Sequence, residues 1–350
     1  MSRKNRRRRR SLLGLNNEAG PASEFLQSCV FFKYQALKHE QIILKQVQDI
    51  KLGIDDGNVY WLNSIGKQFF QFHKELILNN KLDDFLNILL DITSQRNKSV
   101  ELDNCIYLTT QSIYSVIKCK ITLETISFVF SSNYIWSIQD DAIDPFDNIR
   151  IRIAENQGII RQKGVDYLLF SMFEAIIDNY FIAFKELSQE LATFIEGELI
   201  GRQNQQLINL EELRKTFYEL KKAAIGLRES ISQFSAFDNP MLEKFNAKYF
   251  YELKEQIISL TDEIDSELHR IESATNLYFS MQNRRLNEVM KTLTVITVLF
   301  IPLNFITGLF GMNFEFIPGL KSPNGFYFSL ALMIFLIISI LYYFKRKKWF

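Results

Sequence analysis

Two stretches of twenty residues without a formal charge, 292–311 (TLTVITVLFIPLNFITGLFG) and 325–344 (GFYFSLALMIFLIISILYYF), stand close together near the end of this 350-residue chain. A helix rises 1.5 Å per residue, so each would be about 30 Å long, the thickness of a hydrocarbon core. A buried core helix of a soluble domain is the alternative. Two such neighbours in a chain that is 23% charged overall argue instead for a membrane hairpin. Arg284, Arg285 and Lys291 precede the first stretch and Lys345, Arg346, Lys347 and Lys348 follow the second, whereas the short loop holds only Glu315 and Lys321. The excess of flanking cations predicts a multi-pass protein of the cell (inner or plasma) membrane with both termini cytoplasmic and 312–324 outside. Tyr327, Tyr342, Tyr343 and Trp349 occupy positions where interfacial aromatics would anchor the second span.

Outside these spans the chain reads as an intracellular domain. Cys29, Cys105 and Cys119 are odd in number and unpaired by spacing, and His39, His73 and His269 lie far apart, which argues against a disulfide framework and a zinc cluster. The net charge of +1 gives no reason to expect nucleic acid as a partner. Seven of the first ten residues are Arg or Lys, but no apolar run follows as a signal peptide requires, so a basic, disordered tail is expected over 1–24.

Residues 29–32 and 59–62 have strand character, with a turn at Asp55, Asp56, Gly57 and Asn58, and 126–138 reads as a hairpin around Ser131, Ser132 and Asn133. Residues 67–93 have helical spacing, so 25–163 is expected to be an α/β domain. From Gly164 onward the pattern is helical. Tyr167, Leu168, Phe170, Met172, Phe173, Ile176, Ile177 and Tyr180 open a helix running to about Ile200, with turns at 201–206 and 238–240. In the last helical stretch Ile257, Leu260, Ile264, Leu268, Ile271, Ala274, Tyr278 and Met281 step by three or four. No Pro or Gly interrupts residues 241–300, so one rod of roughly 100 Å is expected to pass from the soluble part into the first span.

Taken at alternating steps of three and four, one face of that rod reads Asn287, Met290, Thr294, Thr297, Ile301, Asn304, Gly308 and Gly311. It gathers nearly every polar or small residue of the span. Polar side chains in a bilayer are costly unless they face water or one another, and a seven-residue repeat sets such a stripe against its own copies. Two explanations fit the periodicity: a shared aqueous axis in a homo-oligomer, or helix association through Thr, Asn and Gly. No carboxylate lies on the stripe. Amides, hydroxyls and carbonyls suit an ion that keeps its water, and Mg²⁺ dehydrates reluctantly. Neither a phosphate-binding loop nor a nucleophile motif is present, so an enzyme is not expected, and no cofactor beyond transported or regulatory Mg²⁺.

Gly311, Met312 and Asn313 directly follow the first span within SMQNRRLNEVMKTLTVITVLFIPLNFITGLFGMNFEFIP, a string that resembles the CorA family of divalent-cation channels almost throughout. The likeness extends through NVYWLNSIG, LLDITSQRNKSVE, IIRQKGVDYLLFSMFEAIIDNYF and the basic, Trp-containing end, covering most of 25–350. The resemblance implies a homopentamer with an α+β cytoplasmic funnel domain, long stalk helices and two C-terminal transmembrane helices, the first lining the pore. It implies that Asn313, with Gly311 and Met312, forms an outer ring receiving hydrated Mg²⁺, and that Asn287 and Met290 line the cytoplasmic end. Two departures stand out. The loop reads Ile317, Pro318, Gly319, Leu320 where the family often has Met-Pro-Glu-Leu, leaving Glu315 as its only carboxylate. For a regulatory metal site, Glu252 matches one family acid, but the partner position falls near Leu89, with Asp91 only close by.

The expected division is thus a tail at 1–24, an α/β domain at 25–163, long helices at 164–291, spans at 292–311 and 325–344 around the loop 312–324, and a basic end at 345–350. The expected activity is passive uptake of Mg²⁺, with Co²⁺ and Ni²⁺ as further cargo. A zinc or cobalt transporter on the same scaffold, or a membrane-anchored ligand sensor without flux, are the alternatives.

Overall fold

The computed structural model describes residues 28–42, 44, 46–66, 70–91, 97–117, 119–139, 144–197, 203–236, 247–312, 324–347 and 349. Seven strands, β1 (Cys29–Tyr34), β2 (His39–Ile42), β3 (Val59–Ile65), β4 (Lys98–Glu101), β5 (Ile106–Ile117), β6 (Lys120–Phe130) and β7 (Tyr134–Gln139), form one sheet in the order β2-β1-β3-β7-β6-β5-β4. Among the described strands, only the β3–β7 pair is parallel, with Leu62 opposite Trp136. Helices follow as α1 (Phe70–Asn79), α2 (Phe85–Asp91), α3 (Asp147–Ala154), α4 (Val165–Gly197), α5 (Gln203–Ala236), α6 (Ala247–Phe310) and α7 (Gly325–Arg346).

Side chains alternate across a strand, so the inner strands β1, β3, β5, β6 and β7 feed two cores. Phe32, Trp61, Leu108, Phe128, Phe130 and Ile135 pack with Phe173, Phe217, Phe234, Phe250 and Ile257 of α4, α5 and α6. From the opposite face Phe31, Leu62, Tyr107, Val129 and Trp136 pack with Leu76, Ile77, Leu86 and Leu89 of α1 and α2. Helices therefore cover both faces of the sheet. Polar ties fix them to it: the Tyr180 hydroxyl donates to the Gln111 carbonyl at 2.9 Å, and Ser230 Oγ donates to the Thr109 carbonyl at 3.1 Å.

The hairpin expected at 126–138 is the β6–β7 pair, its turn closed by the Ser131 N–H on the Tyr134 carbonyl at 3.0 Å. The helical pattern of 67–93 is divided between α1 and α2. Lys81 takes a left-handed backbone (φ 52°), and the Asn80 side chain donates to the Leu76 and Ile50 carbonyls, ending α1 and pinning it to the loop before β3. The helix α6 is continuous through 64 residues and contains Pro302. The chain divides into two compact units, one ending at Ile271 and the other beginning at Glu272.

Among the described residues, three helices are long and apolar enough to cross a membrane: α4, α6 and α7. In α4 most of the apolar stretch is buried against the sheet, whereas in α6 and α7 almost none of it is covered by the chain. The exposed side chains of α7 include Phe326, Phe328, Phe335, Ile338 and Tyr342, a surface that water would disfavour strongly.

Candidate ion pathway

The second compact unit holds the last part of α6 and all of α7. On α6, Val295 is buried and Leu299, Pro302, Leu303, Ile306 and Phe310 are partly buried; on α7 the covered positions are Ser329, Met333, Leu336, Ile337, Ile340 and Phe344. Their spacing of three and four defines one apolar seam on each helix. At 100° per residue, the stripe expected from the sequence is centred about 180° from the α6 seam. Met290, Thr297, Ile301, Asn304, Gly308 and Gly311 are all exposed, and Thr294 is half-buried. The chain partly covers this one seam and leaves the polar face open, along with Leu293, Ile296, Phe300, Phe305 and Leu309.

Each stripe threonine directs its hydroxyl hydrogen back along the helix: Thr294 Oγ1 donates to the Met290 carbonyl at 2.7 Å and Thr297 Oγ1 to the Leu293 carbonyl at 2.8 Å. A hydroxyl has one donor and two acceptor lone pairs, so with the donor engaged only acceptors remain. Such a surface accepts hydrogen bonds from the outward-facing O–H groups of a hydrated cation. Gly308 has nothing within 4 Å of where a Cβ would lie, so its small size answers to no neighbour in the same chain. At Gly311 a Cβ would meet the Thr307 carbonyl oxygen at 3.1 Å, and the Gly311 N–H closes the helix on that same oxygen at 3.0 Å. Pro302 cannot donate to the Val298 carbonyl, which loosens the ladder in mid-span. Asn287 is exposed on the same helix, and Met312 follows its end; Asn313 and Glu315 lie outside the described residues.

Of the two expected regulatory acids, only Glu252 has a described side chain. Glu252 is exposed on α6, and Asp91 closes α2 with its side chain outside the described residues. Glu252 instead lies near an acid that the sequence did not single out. Burial raises the Glu174 carboxyl above its ordinary pKa; Arg152 opposes the shift, with a nitrogen 3.9 Å from the carboxylate, while Asp178 and Glu252 add to it. Asp178, one turn further along α4, is also raised by burial. The available signal was the presence of two acids four residues apart within an otherwise apolar run. Among the described residues, no group of three or more His, Cys, Asp or Glu is arranged to hold a metal ion.

A helix-flanked mixed sheet, a 64-residue helix and two unshielded apolar helices at the C-terminal end define a membrane protein with a large α+β domain. The model of the CorA-like Mg²⁺ transporter protein family matches residues 81–346, and the chain belongs to that family. It is 30% identical over 307 residues to the cobalt/magnesium transport protein CorA of Thermotoga maritima, covering 84% of each chain. The solved structure of the CorA magnesium transporter from Methanocaldococcus jannaschii shares the fold with a TM-score of 0.79 at 20% identity, covering 92% of this chain and 98% of that one. A zinc transport protein, ZntB of Pectobacterium atrosepticum, is 23% identical over 181 residues, covering 52% of this chain and 55% of its own length. The family is one of divalent-cation transporters, not of enzymes.

Proposed function

We propose that this protein is a passive Mg²⁺ channel in which copies of α6 surround a common axis, five of them by the family resemblance. The stripe Asn287, Met290, Thr294, Thr297, Ile301, Asn304 and Gly308 lines that axis, and Asn313 with Gly311 and Met312 forms the ring that receives the hydrated ion. The observation that carries this reading is the open polar face of α6, opposite the seam its own chain covers. Both termini lie in the cytoplasm, following the cations that flank the spans. A potential of 100 mV contributes about 4.6 kcal/mol to entry of a divalent ion, so no nucleotide is needed. The domain boundaries expected from the sequence, 25–163, 164–291, 292–311, 312–324 and 325–344, form part of the same proposal.

Gating by cytoplasmic Mg²⁺ would act at Glu252, with Asp91 as the partner acid named from the sequence and Glu174 beside Glu252. A cation there relieves the mutual repulsion that helps raise the Glu174 carboxyl. The second reading is a zinc or cobalt transporter on the same scaffold, favoured by the ZntB relative and by the single loop carboxylate, Glu315. Liposomes holding the purified protein and a Mg²⁺-sensitive dye, challenged with Mg²⁺, Co²⁺, Ni²⁺ and Zn²⁺ at a fixed inside-negative potential, test the proposal. Mg²⁺ entry competed by Co²⁺ is expected. Entry of Zn²⁺ without Mg²⁺ would favour the second reading, and no flux of any ion would leave a membrane-anchored sensor.

A further inference from the structure

The two charge-free stretches contain a single side-chain amide, Asn304. It lies on the polar stripe of α6, exposed, between Ile301 and Gly308. The four threonines of the same stretch satisfy their hydroxyl hydrogens within their own helix. Thr292 donates to the Glu288 carbonyl, Thr294 to Met290, Thr297 to Leu293 and Thr307 to Leu303, at 2.7 to 3.0 Å. The Asn304 amide does not turn back in this way. Its backbone carbonyl accepts from Thr307 Oγ1 at 3.1 Å, but none of the described residues bonds its Oδ1 or Nδ2.

An amide brings two N–H donors and an acceptor oxygen, and hydrocarbon offers a partner to neither. A hydrated cation on the axis answers only half of this need. Its water molecules point their hydrogens outward, so they donate to Oδ1 and do not accept from Nδ2. The stripe threonines present acceptors, so from Met290 to Gly311 the unengaged side-chain donors of the stripe are those of Asn304. They face a passage for cations unless an acceptor takes them. In a bundle of identical parallel helices every copy sets Asn304 at one level, and the Oδ1 of the next copy is an acceptor at that level. The amide is self-complementary: what one copy offers, its neighbour accepts. Room for the contact exists on the same face. A helical side chain leans over the turn before its own Cα, so Gly308, where a Cβ would meet nothing within 4 Å, leaves the surface beside Asn304 uncovered.

We infer that the Asn304 amides of neighbouring copies form a closed ring, each Nδ2 donating one N–H to the Oδ1 of the next copy. Each Oδ1 keeps a second lone pair for the hydration shell of a passing ion, and the second N–H is left to water on the axis. Asn304 is thus a positioning residue that clasps the copies together and turns an acceptor inward, separate from the ring proposed at Asn313. The inference deepens the proposed channel and rests on copies of α6 sharing one axis.

Thermal dissociation of the full-length oligomer in detergent, followed by light scattering, tests it without any ion flux. Asn304→Ala removes the amide and favours the helix. Asn304→Asp keeps the shape and the acceptors but loses the donors at neutral pH. Both variants should dissociate several degrees below the parent at neutral pH. Only Asn304→Asp should recover toward the parent at about pH 5, where a carboxyl that takes up a proton can donate again. An Asn304→Ala oligomer as stable as the parent would overturn the ring, because an amide bonded only to water contributes nothing between copies. An Asn304→Asp oligomer that gains no stability relative to the parent on acidification would also overturn it, as would a monomeric parent. The same proteins in liposomes separate this inference from the channel itself. Mg²⁺ influx by the parent together with an unchanged Asn304→Ala oligomer sinks the ring and leaves the channel. Absence of influx together with the two expected dissociation shifts sinks conduction and leaves the ring.

Discussion

The Thr294 hydroxyl donates to the Met290 carbonyl oxygen at 2.7 Å, and both residues belong to the polar stripe of α6. Because the hydrogen is engaged, the oxygen can only accept, and it faces away from the seam that the rest of the chain covers. If hydrated Mg²⁺ passes this face, Thr294→Val and Thr297→Val, which keep shape and remove the acceptor, should each lower Mg²⁺ influx about fivefold, the equivalent of one hydrogen bond of about 1 kcal/mol. Thr→Ser at the same positions should conduct nearly as well. Unchanged influx in both valine variants would remove the threonines from the pathway.

Gly308 separates packing within a chain from packing between chains. A Cβ there meets nothing within 4 Å, and Ala is about 1 kcal/mol better than Gly inside a helix, so Gly308→Ala should fold at least as well as the parent. If copies of α6 surround an axis, one added methyl per copy crowds it. The variant should show lower flux or a less stable oligomer by light scattering in detergent. A variant identical to the parent in both measurements would place Gly308 against lipid.

In the sheet, Trp61 Nε1 donates to Ser137 Oγ at 3.0 Å and Trp136 Nε1 donates to Ser64 Oγ at 2.9 Å, so the parallel β3–β7 pair is tied once through each face. Ser137→Ala leaves a wholly buried indole N–H without its acceptor and removes the hydroxyl that donates to Asn63 Oδ1 at 2.7 Å. We expect a loss of about 1–3 kcal/mol in the stability of the full-length protein, read as a lower melting temperature. An unchanged melting temperature would contradict this.

His73 gives the soluble domain a defined acid response. Buried edge-on against the ring of Trp136 at 5.4 Å, its imidazole is pushed down to about 4 by loss of solvent, from an ordinary 6.5. The unfolded chain takes up the proton first as pH falls. Stability from this group is therefore complete above about pH 6.5 and declines by about 1.4 kcal/mol per unit down to pH 4, about 3 kcal/mol in all. Glu174 and Asp178, whose carboxyls burial raises, act in the opposite sense. Comparing the parent with His73→Phe across pH 7 to 4 isolates the imidazole: the variant should lose the steep part of the decline.

The two apolar C-terminal helices, the long helix that includes the first of them and the spacing of the polar residues on one of its faces were legible from the sequence because each rests on a period or a length that a single chain displays. The β6–β7 hairpin was legible for the same reason. Strands β4 and β5 were not, because Thr109, Thr110 and Ser112 are buried polar residues that break the apolar alternation; Thr109 reaches the helices through the bond from Ser230 to its carbonyl. The break between α1 and α2 was hidden by a helical period that runs through it, since only the left-handed backbone of Lys81 and the Asn80 side-chain bonds end the first helix. Glu174 and Asp178 escaped notice because carboxylates on a helix usually face water, and only packing reveals Glu174 as half-buried and both carboxyls as raised.

In the proposed channel, hydrated Mg²⁺ enters through an oligomeric pore whose outer end is a ring of Asn313. The most direct test is Mg²⁺ influx into liposomes holding either the parent or Asn313→Ala, at matched protein content, with an inside-negative potential and no nucleotide. Influx by the parent that falls at least tenfold in Asn313→Ala is the predicted result. Equal influx from the two proteins would contradict the proposed ring, and no influx from either would contradict conduction itself.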